Sequence, residues 1–298
     1  MIRQFNLINS LGERKQLNDL NSFAYNPTGL GLSMSNEYYG ANANFVGIGI
    51  GADQTSIKFN VLFGANGGNA YQDYSNFIKY LDLTPLQIEY QTDAGVFLKD
   101  VNFKELTKSE INEWNVIDEE ITFESLTPWY REMSGNSVIY SDQDGDGKIY
   151  INNSSENNTG FYAYDYVYEE PAASTDNKYF HIKNESVYLG ASTGSPLTVI
   201  IHGPVTNPAW ELHVNSELLF SDRYFIDIPA GDTLVVSSVP QNERVELIGI
   251  DGTVSNVYSA QDYTKSNFVN IPKGESTLIF DVGSAKVEYT YREERLVV

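Results

Sequence analysis

Apolar and polar residues alternate with a period of two along most of the chain, which predicts β-strands. In the first half, this alternation places Ile57, Phe59 and Val61 on one strand face, and a similar run begins at Leu86. In the second half, short strands are separated by turns such as Pro229-Ala230-Gly231-Asp232. Many short strands at this spacing are typical of a β-sandwich or jelly roll.

One segment of the first half has helical spacing instead. Its apolar residues lie on one face of a helix of about three turns: Tyr71, Tyr74, Phe77, Ile78 and Leu81. Asn69 is the predicted N-cap, and Pro85 lies beyond the end. A second short helix is predicted over 108–114, because Thr107 and Glu110 have the spacing of a capping box.

The strand pattern stops between Pro128 and Gly135, and we place a domain boundary there. The predicted fold is therefore mainly β. Residues 1–130 form an N-terminal β-sandwich with one α-helix, and residues 131–298 form a second β-sandwich. A length of 298 residues suits two domains that each bury a core.

The formal net charge of −21 excludes one class of partner. Specific binding of nucleic acid needs a basic surface, and the acidic residues here are spread over both halves. An anionic membrane surface is disfavoured for the same reason, and we expect no membrane association. The chain has no cysteine, so disulfides and thiolate metal sites are ruled out. The N-terminus lacks the apolar core of a signal peptide, so we expect folding in a cytoplasm.

A calcium loop is the sharpest local motif. Asp142, Asp144 and Asp146 alternate and are followed by Gly147, and alternate carboxylates of this kind can converge on one hard cation. However, the twelfth position of the loop is Asn153 and not the usual glutamate, and no amphipathic helices flank it. The alternative is an acidic hairpin turn with no bound metal. Calcium is the only cofactor that the sequence suggests.

A row of tyrosines offers a second candidate site. Tyr162, Tyr164, Tyr166 and Tyr168 alternate and would share one face of a strand. Such a face could stack on sugars, or it could form a core or a contact between subunits. The histidines, by contrast, have no ligand-like spacing, and no G-x-S-x-G nucleophile elbow is present. We therefore predict no catalytic residues and no enzymatic activity.

Several segments in a characteristic order resemble one known family nearly end to end. They are Phe5-Asn6-Leu7, Pro27-Thr28-Gly29-Leu30-Gly31, the predicted helix, Thr127-Pro128-Trp129-Tyr130, Ile200-Ile201-His202-Gly203-Pro204-Val205-Thr206-Asn207-Pro208-Ala209-Trp210, and Ile271-Pro272-Lys273-Gly274. The family is that of the distal tail proteins of long-tailed bacteriophages. None of these segments is a catalytic fingerprint, and the resemblance rests on their order.

The resemblance implies a structural protein of the virion tail tip, assembled in the host cytoplasm. Residues 1–130 would form a hexameric ring, and residues 131–298 would form a galectin-like sandwich that projects outward. The ring would join the tail tube protein to a tail-associated tip protein in the baseplate, and a receptor-binding protein could attach to it.

Ring closure needs contact surface on two sides of a subunit, and the predicted loop 36–44, with Tyr38 and Tyr39, could supply part of it. Two other functions remain open. One is a carbohydrate-binding adhesion module that uses the C-terminal sandwich. The other is a glycan-cleaving enzyme on a sandwich scaffold, for which we nominate no carboxylate.

Overall fold

A computed structural model describes residues 3–19, 22–65, 67–136, 148–149, 164–165, 177–192, 194–240 and 242–298. Within these residues the chain forms 24 β-strands, one α-helix and a single 3₁₀ turn. The predicted mainly-β fold class with one helix is confirmed. The calcium-loop residues Asp142, Asp144 and Asp146 lie outside the described residues.

The strands of the first half are β1 (Gln4–Ile8), β2 (Arg14–Gln16), β3 (Ser22–Thr28), β4 (Met34–Ala41), β5 (Asn44–Ala52), β6 (Ser56–Phe63), β7 (Leu86–Thr92), β8 (Gly95–Leu106), β9 (Ile117–Ser125) and β10 (Trp129–Asn136), with the helix α1 (Ala70–Leu81) after β6. Those of the second half are β11 (Lys148–Ile149), β12 (Tyr164–Asp165), β13 (Asn177–Asn184), β14 (Gly194–His202), β15 (Val205–Thr206), β16 (Ala209–Val214), β17 (Glu217–Arg223), β18 (Asp227–Ile228), β19 (Thr233–Ser237), β20 (Arg244–Ile248), β21 (Val254–Asn256), β22 (Asn270–Pro272), β23 (Gly274–Asp281) and β24 (Lys286–Arg295).

The long strand β8 joins two layers in the first half. Its first part pairs with β7 in the order β2-β1-β7-β8, and its last part pairs with β9 in the order β3-β6-β9. β8 changes partner at Val101, which pairs with Leu86 of β7 and with Ser125 of β9, and its register with β9 shifts further on, between Phe103 and Glu105. Such a bulge bends a strand and allows it to turn a corner. The alternating residues of β6, including Phe59 and Val61, are buried in the core.

The predicted helix is confirmed. The side chain of Asn69 accepts a hydrogen bond from the amide of Gln72 at 3.2 Å, which caps the first turn. Phe77 is buried, with its ring centroid 5.5 Å from that of Phe63 on β6. The helix ends with Asp82 as its C-cap, before Pro85.

The prediction of a second helix over 108–114 is wrong. Thr107 does not cap a helix, because its hydroxyl hydrogen-bonds to the carboxylate of Glu119 on β9. The amide of Ser109 is bound by the same carboxylate, and Glu110 accepts a hydrogen bond from the hydroxyl of Tyr71 at 2.5 Å. The groups that suggested a capping box therefore fasten an irregular loop to a neighbouring strand and to α1.

The second half is a sandwich of two sheets. One contains β14, β19, β20, β21 and β24, and the other has the order β13-β23-β16-β17. Inward residues from both sheets form one core, for example Val199 and Val236 against Leu212 and Phe280. Trp210 is also in this core, with its ring 5.5 Å from that of Tyr224.

The strand pattern does not stop between Pro128 and Gly135, because β10 occupies this segment. β10 pairs antiparallel with β24 over eight residue pairs, from Trp129↔Arg295 to Asn136↔Glu288. Since β24 also pairs with β14, one sheet runs from the first half into the second. The predicted boundary at residue 130 lies inside this strand, and the division into 1–130 and 131–298 stays a prediction.

Charged side chains hold this seam and explain why β10 lacks an apolar alternation. The carboxylate of Glu293 accepts hydrogen bonds from Arg131 at 2.5 Å and from Arg295 at 3.2 Å. Its side chain is only 3% exposed. A buried carboxylate is costly unless it is paired, and here the two arginines come from the two strands that form the seam.

The substitution Glu293→Gln should lower the free energy of unfolding by about 2 kcal/mol, because it leaves two arginines without their shared partner. The effect is smaller than for a fully buried pair, since both arginine side chains are about 30% exposed. Urea denaturation measures it. Glu246→Gln is the control, because it removes the same charge from a 3.7 Å pair with Arg244 and should cost less than about 0.5 kcal/mol. Equal effects of the two substitutions would contradict the role of the seam.

A buried acid in the second core makes stability depend on pH. Asp222 accepts hydrogen bonds from the hydroxyl of Tyr224 at 3.1 Å and from the amide of Arg223 at 3.0 Å. Gln261 donates to the same tyrosine hydroxyl at 3.2 Å. Burial raises the pKa of Asp222 to about 7 despite these donors. The folded chain therefore holds a proton at pH values where the unfolded chain has released it.

The bound proton predicts the direction in which the free energy of unfolding changes with pH. The contribution of Asp222 to stability should fall as pH rises from about 4 to about 7, because the folded state binds more protons in that window. In Asp222→Asn this slope disappears, so the variant should gain about 2 to 4 kcal/mol relative to the natural chain across the window. Urea denaturation at a series of pH values measures the difference. Parallel curves for the two proteins would refute the linkage.

Candidate assembly surface

A two-stranded hairpin, which we call the arm, consists of β4 and β5 (34–52). The turn residues Asn42 and Ala43 have φ angles of 50° and 62°, as a type I′ hairpin turn requires. At the base, the hydroxyl of Ser33 donates to Asp53 at 2.6 Å. Strands of this length extend for about 25 Å. The segment 36–44, predicted to be a loop, is therefore strand, turn and the start of the next strand.

One face of the arm is apolar. The register shifts between Glu37 and Tyr38, so that Ile48 is an extra residue in β5. Alternation on both sides of this bulge places four large side chains on the same face. They are Tyr38, Phe45, Ile48 and Ile50, and they are 60%, 78%, 68% and 53% exposed. The rings of Tyr38 and Phe45 meet edge to face, with centroids 6.4 Å apart.

The opposite face carries glycines near the base of the arm and the exposed side chains of Tyr39 and Val46 near its tip. Gly49 and Gly51 pair with Glu37 and Ser35, so β5 has no side chain on this face at these two positions. A side chain at Gly49 would come within about 3.5 Å of the Glu37 carboxylate. Within β5, Ile48 and Ile50 therefore lie on the apolar face, and Gly49 and Gly51 lie on the opposite face.

In the described part of the chain, the arm is a sheet of two strands. Among the described residues, neither β4 nor β5 pairs with a third strand. An isolated two-stranded hairpin is marginally stable in water, and a continuous exposed apolar face usually marks a contact with another molecule. Both edges of the arm also present unpaired backbone groups, which can accept a further strand. The arrangement fits a surface that is completed by assembly.

A second apolar surface, which we call the loop patch, consists of Tyr71, Ile111 and Trp114. Trp114 is 76% exposed, although its loop is well fixed. The side chain of Asn112 accepts hydrogen bonds from the amides of Trp114 and Val116, at 2.9 and 3.1 Å. The indole is therefore held in solvent by an ordered loop. The sequence did not indicate this patch, because the same residues were predicted to lie on a helix.

The described residues contain no group of three His, Cys, Asp or Glu side chains that could hold a metal ion. Calcium binding by Asp142, Asp144 and Asp146 remains a prediction, since these residues are not described. Of the four tyrosines predicted to share a face, only the backbone of Tyr164 is described, in β12. Among the helices that the structure describes, none is long and apolar enough to cross a membrane.

His202 contacts side chains of two neighbouring strands on the surface of the second sandwich. His202 contacts the Thr233 hydroxyl at 3.2 Å and the Glu288 carboxylate at 3.3 Å. This set resembles a catalytic triad in residue types only. Glu288 is also paired with Lys286, which lowers the pKa of the carboxyl group, so its charge is already balanced by a cation. The pair is a surface contact between strands.

Comparison with known proteins supports the resemblance seen in the sequence. Residues 4–126 match the family model of the distal tail protein, N-terminal domain. This match confirms the predicted resemblance to the distal tail proteins. The arm and the loop patch both lie inside the matched residues. No curated protein matches the chain in sequence.

Three solved structures share the fold over nearly the whole chain. A chain of the phage P2 baseplate, in its activated conformation with calcium, has a TM-score of 0.69 and 19% identity, with full coverage of both chains. The same baseplate with strontium has a TM-score of 0.68 and 18% identity, again with full coverage. The Dit protein of phage SPP1 has a TM-score of 0.57 and 11% identity, and covers 97% of this chain and 98% of its own.

The turn of the arm provides a direct test of its conformation. Ala43→Gly should stabilise the hairpin by about 1 kcal/mol, because a left-handed φ is unfavourable for alanine and not for glycine. Amide hydrogen exchange in β4 and β5 should slow about five-fold. Ala94→Gly, in the β7–β8 turn, is the control: Ala94 has no positive φ, so protection of its strands should not increase. Unchanged exchange in Ala43→Gly would contradict the hairpin.

Proposed function

We propose that this chain, of which residues 4–126 match the family model of the distal tail protein, N-terminal domain, is a structural component of the phage tail tip that closes into a hexameric ring. The projecting arm is the observation that carries the proposal. It is long, apolar on one face and unpaired within the subunit, and it belongs to the domain that the family match covers. Its natural occupant is a neighbouring copy of the same chain.

A ring needs two different surfaces on each subunit, because each copy contacts one neighbour on either side. The arm and the loop patch are two such surfaces on different elements of one domain. We propose that the apolar face of the arm packs on the loop patch of the adjacent subunit. Full burial of a side chain such as Phe45 or Ile48 would contribute about 1.5 to 3 kcal/mol. Because every interface is the same, the contact repeats until the ring closes.

We infer a place for the ring in the virion by analogy with the similar structures. The SPP1 protein is described as a paradigm of the hub of the adsorption apparatus, and the P2 chain belongs to a baseplate. By analogy, the ring would join the tail tube to a tail-associated tip protein and offer its outer sandwich to a receptor-binding protein. A net charge of −21 suits a ring that must not adhere to the genome. We propose no enzymatic activity, in keeping with a structural role.

Mass measurement in solution tests the ring. The purified chain should have a mass of about 200 kDa, six times the 33.4 kDa subunit. The double variant Phe45→Ser/Ile48→Ser should be monomeric, because it removes the centre of the apolar face. Ile250→Ser is the matched control: Ile250 is 81% exposed in the second half, and its loss should leave the hexamer intact. A natural chain that is monomeric at every concentration would overturn the proposal.

Cysteine cross-linking tests the packing of the arm. The chain contains no cysteine. In a variant with Phe45→Cys and Trp114→Cys, every disulfide therefore joins two of the introduced cysteines. Oxidation should give covalent ladders of up to six subunits. Phe45→Cys with Ile250→Cys should give none. A hexamer without arm-to-patch ladders would retain the ring and reject this interface.

A further inference from the structure

The outer surface of three adjacent strands in the second sandwich holds two rows of side chains in register. In one row Thr277 of β23 lies between His181 of β13 and His213 of β16, and in the other Ile279 lies between Tyr179 and Glu211. The alternate residues of β23, such as Leu278 and Phe280, are buried in the core. The six residues of the two rows therefore face outward together.

Five of these six residues, all except Glu211, line an open groove with a volume of about 680 Å³, together with the charged side chains of Lys183 and Glu275. The turn Asn215-Ser216 that joins β16 to β17 borders it. Tyr179 is 60% exposed. This is unusual for so large a side chain on a strand that packs against a core. The groove thus has a free aromatic ring at one side and polar groups across its floor.

Hydrogen bonds hold the imidazole rings of both histidines in place. The Nδ1 atom of His181 lies 3.2 Å from the Thr277 hydroxyl, and Nε2 of His213 lies 2.9 Å from the Glu211 carboxylate. In each imidazole, one ring nitrogen makes this hydrogen bond, and the other makes none to another described residue. Both imidazoles are held in place while each keeps one nitrogen for a ligand.

The chemistry of the groove matches a sugar. A pyranose ring has an apolar face of C–H groups surrounded by hydroxyls that donate and accept hydrogen bonds. The groove offers an apolar platform in Tyr179 and Ile279 beside donors and acceptors in His181, His213 and Thr277. Neighbouring strands are about 5 Å apart, and successive outward residues about 7 Å apart, so these groups can contact one or two linked sugar rings.

Other ligands fit less well. His181 and His213 are separated by the intervening strand, so their Cα atoms are about 10 Å apart, which is too far for both to bind one metal ion without large movement. The carboxylate of Glu211 and the negative charge of the chain oppose an acidic ligand or nucleic acid.

We propose that this groove binds a neutral glycan chain. The site is distinct from the row of tyrosines at 162–168 and does not depend on ring formation, although six copies on one ring would add avidity.

A glycan array of neutral hexose and N-acetylhexosamine oligosaccharides, with acidic glycans included, tests the proposal on the full chain. The natural protein should bind at least one neutral glycan. Titration calorimetry with that glycan should show an affinity loss of about ten-fold or more for Tyr179→Ala, since loss of a central aromatic contact dominates small binding sites. Tyr179→Phe keeps the ring and should retain binding.

The second half contains a matched control for the histidine. His202 contacts Thr233 through Nδ1 at 3.2 Å, as His181 contacts Thr277, but it lies on the other sheet and outside the groove. His181→Ala should weaken glycan binding several-fold, and His202→Ala should not change it. Circular dichroism and the mass in solution should be the same for all variants.

Two results would overturn the glycan site: binding of no neutral glycan by the natural chain, or equal affinity of the natural chain and Tyr179→Ala. Binding of acidic glycans alone would also reject it. The outcome is separate from that of the ring, because a monomer that binds glycan through Tyr179 would reject only the ring, and a hexamer that binds none would reject only the groove.

Discussion

The pairing of β10 with β24 is the contact on which the rest of the structure depends. It brings the last strand of the chain back to the strand that leaves the first half, and it makes one sheet continuous through both. Backbone hydrogen bonds alone would not fix the register of so polar a pair. The buried carboxylate of Glu293 does so, because any slip would separate it from Arg131 and Arg295.

A buried polar network fastens the same terminal strand to the second sandwich. The hydroxyl of Tyr188 donates to the Glu294 carboxylate at 2.9 Å and also contacts Ser195. The amide of Glu294 donates to the hydroxyl of Ser186 at 2.8 Å. Burial raises the pKa of Glu294. On β24, Glu293 binds Arg131 of the first half, and Glu294 is bonded to Tyr188 and Ser186 of the second half. The two halves therefore share this strand.

The two halves leave different kinds of surface exposed. The first half presents the arm, which pairs with no third strand among the described residues, and the exposed apolar side chains of the loop patch. The second half presents an aromatic and polar groove. The physical demands differ, since large apolar surfaces favour contact with another protein and mixed surfaces favour a small polar ligand. Our two proposals, assembly through the first half and ligand binding through the second, rest on this distribution. The acidity of the chain is common to both halves and distinguishes neither.

Local patterns in the sequence were sufficient for much of the fold. The helix over 70–81 with its Asn69 cap, the strand through Ile57, Phe59 and Val61, and the mainly-β class follow from periodicity and capping, which depend on near neighbours. Tertiary structure decided the rest. β10 is a strand because Glu293 and Arg295 of a distant segment pair with it, and Thr107 bonds to Glu119 of another strand and so forms no helix. His181 and His213 flank Thr277 only through strand register, and register between distant strands leaves no trace in a local pattern.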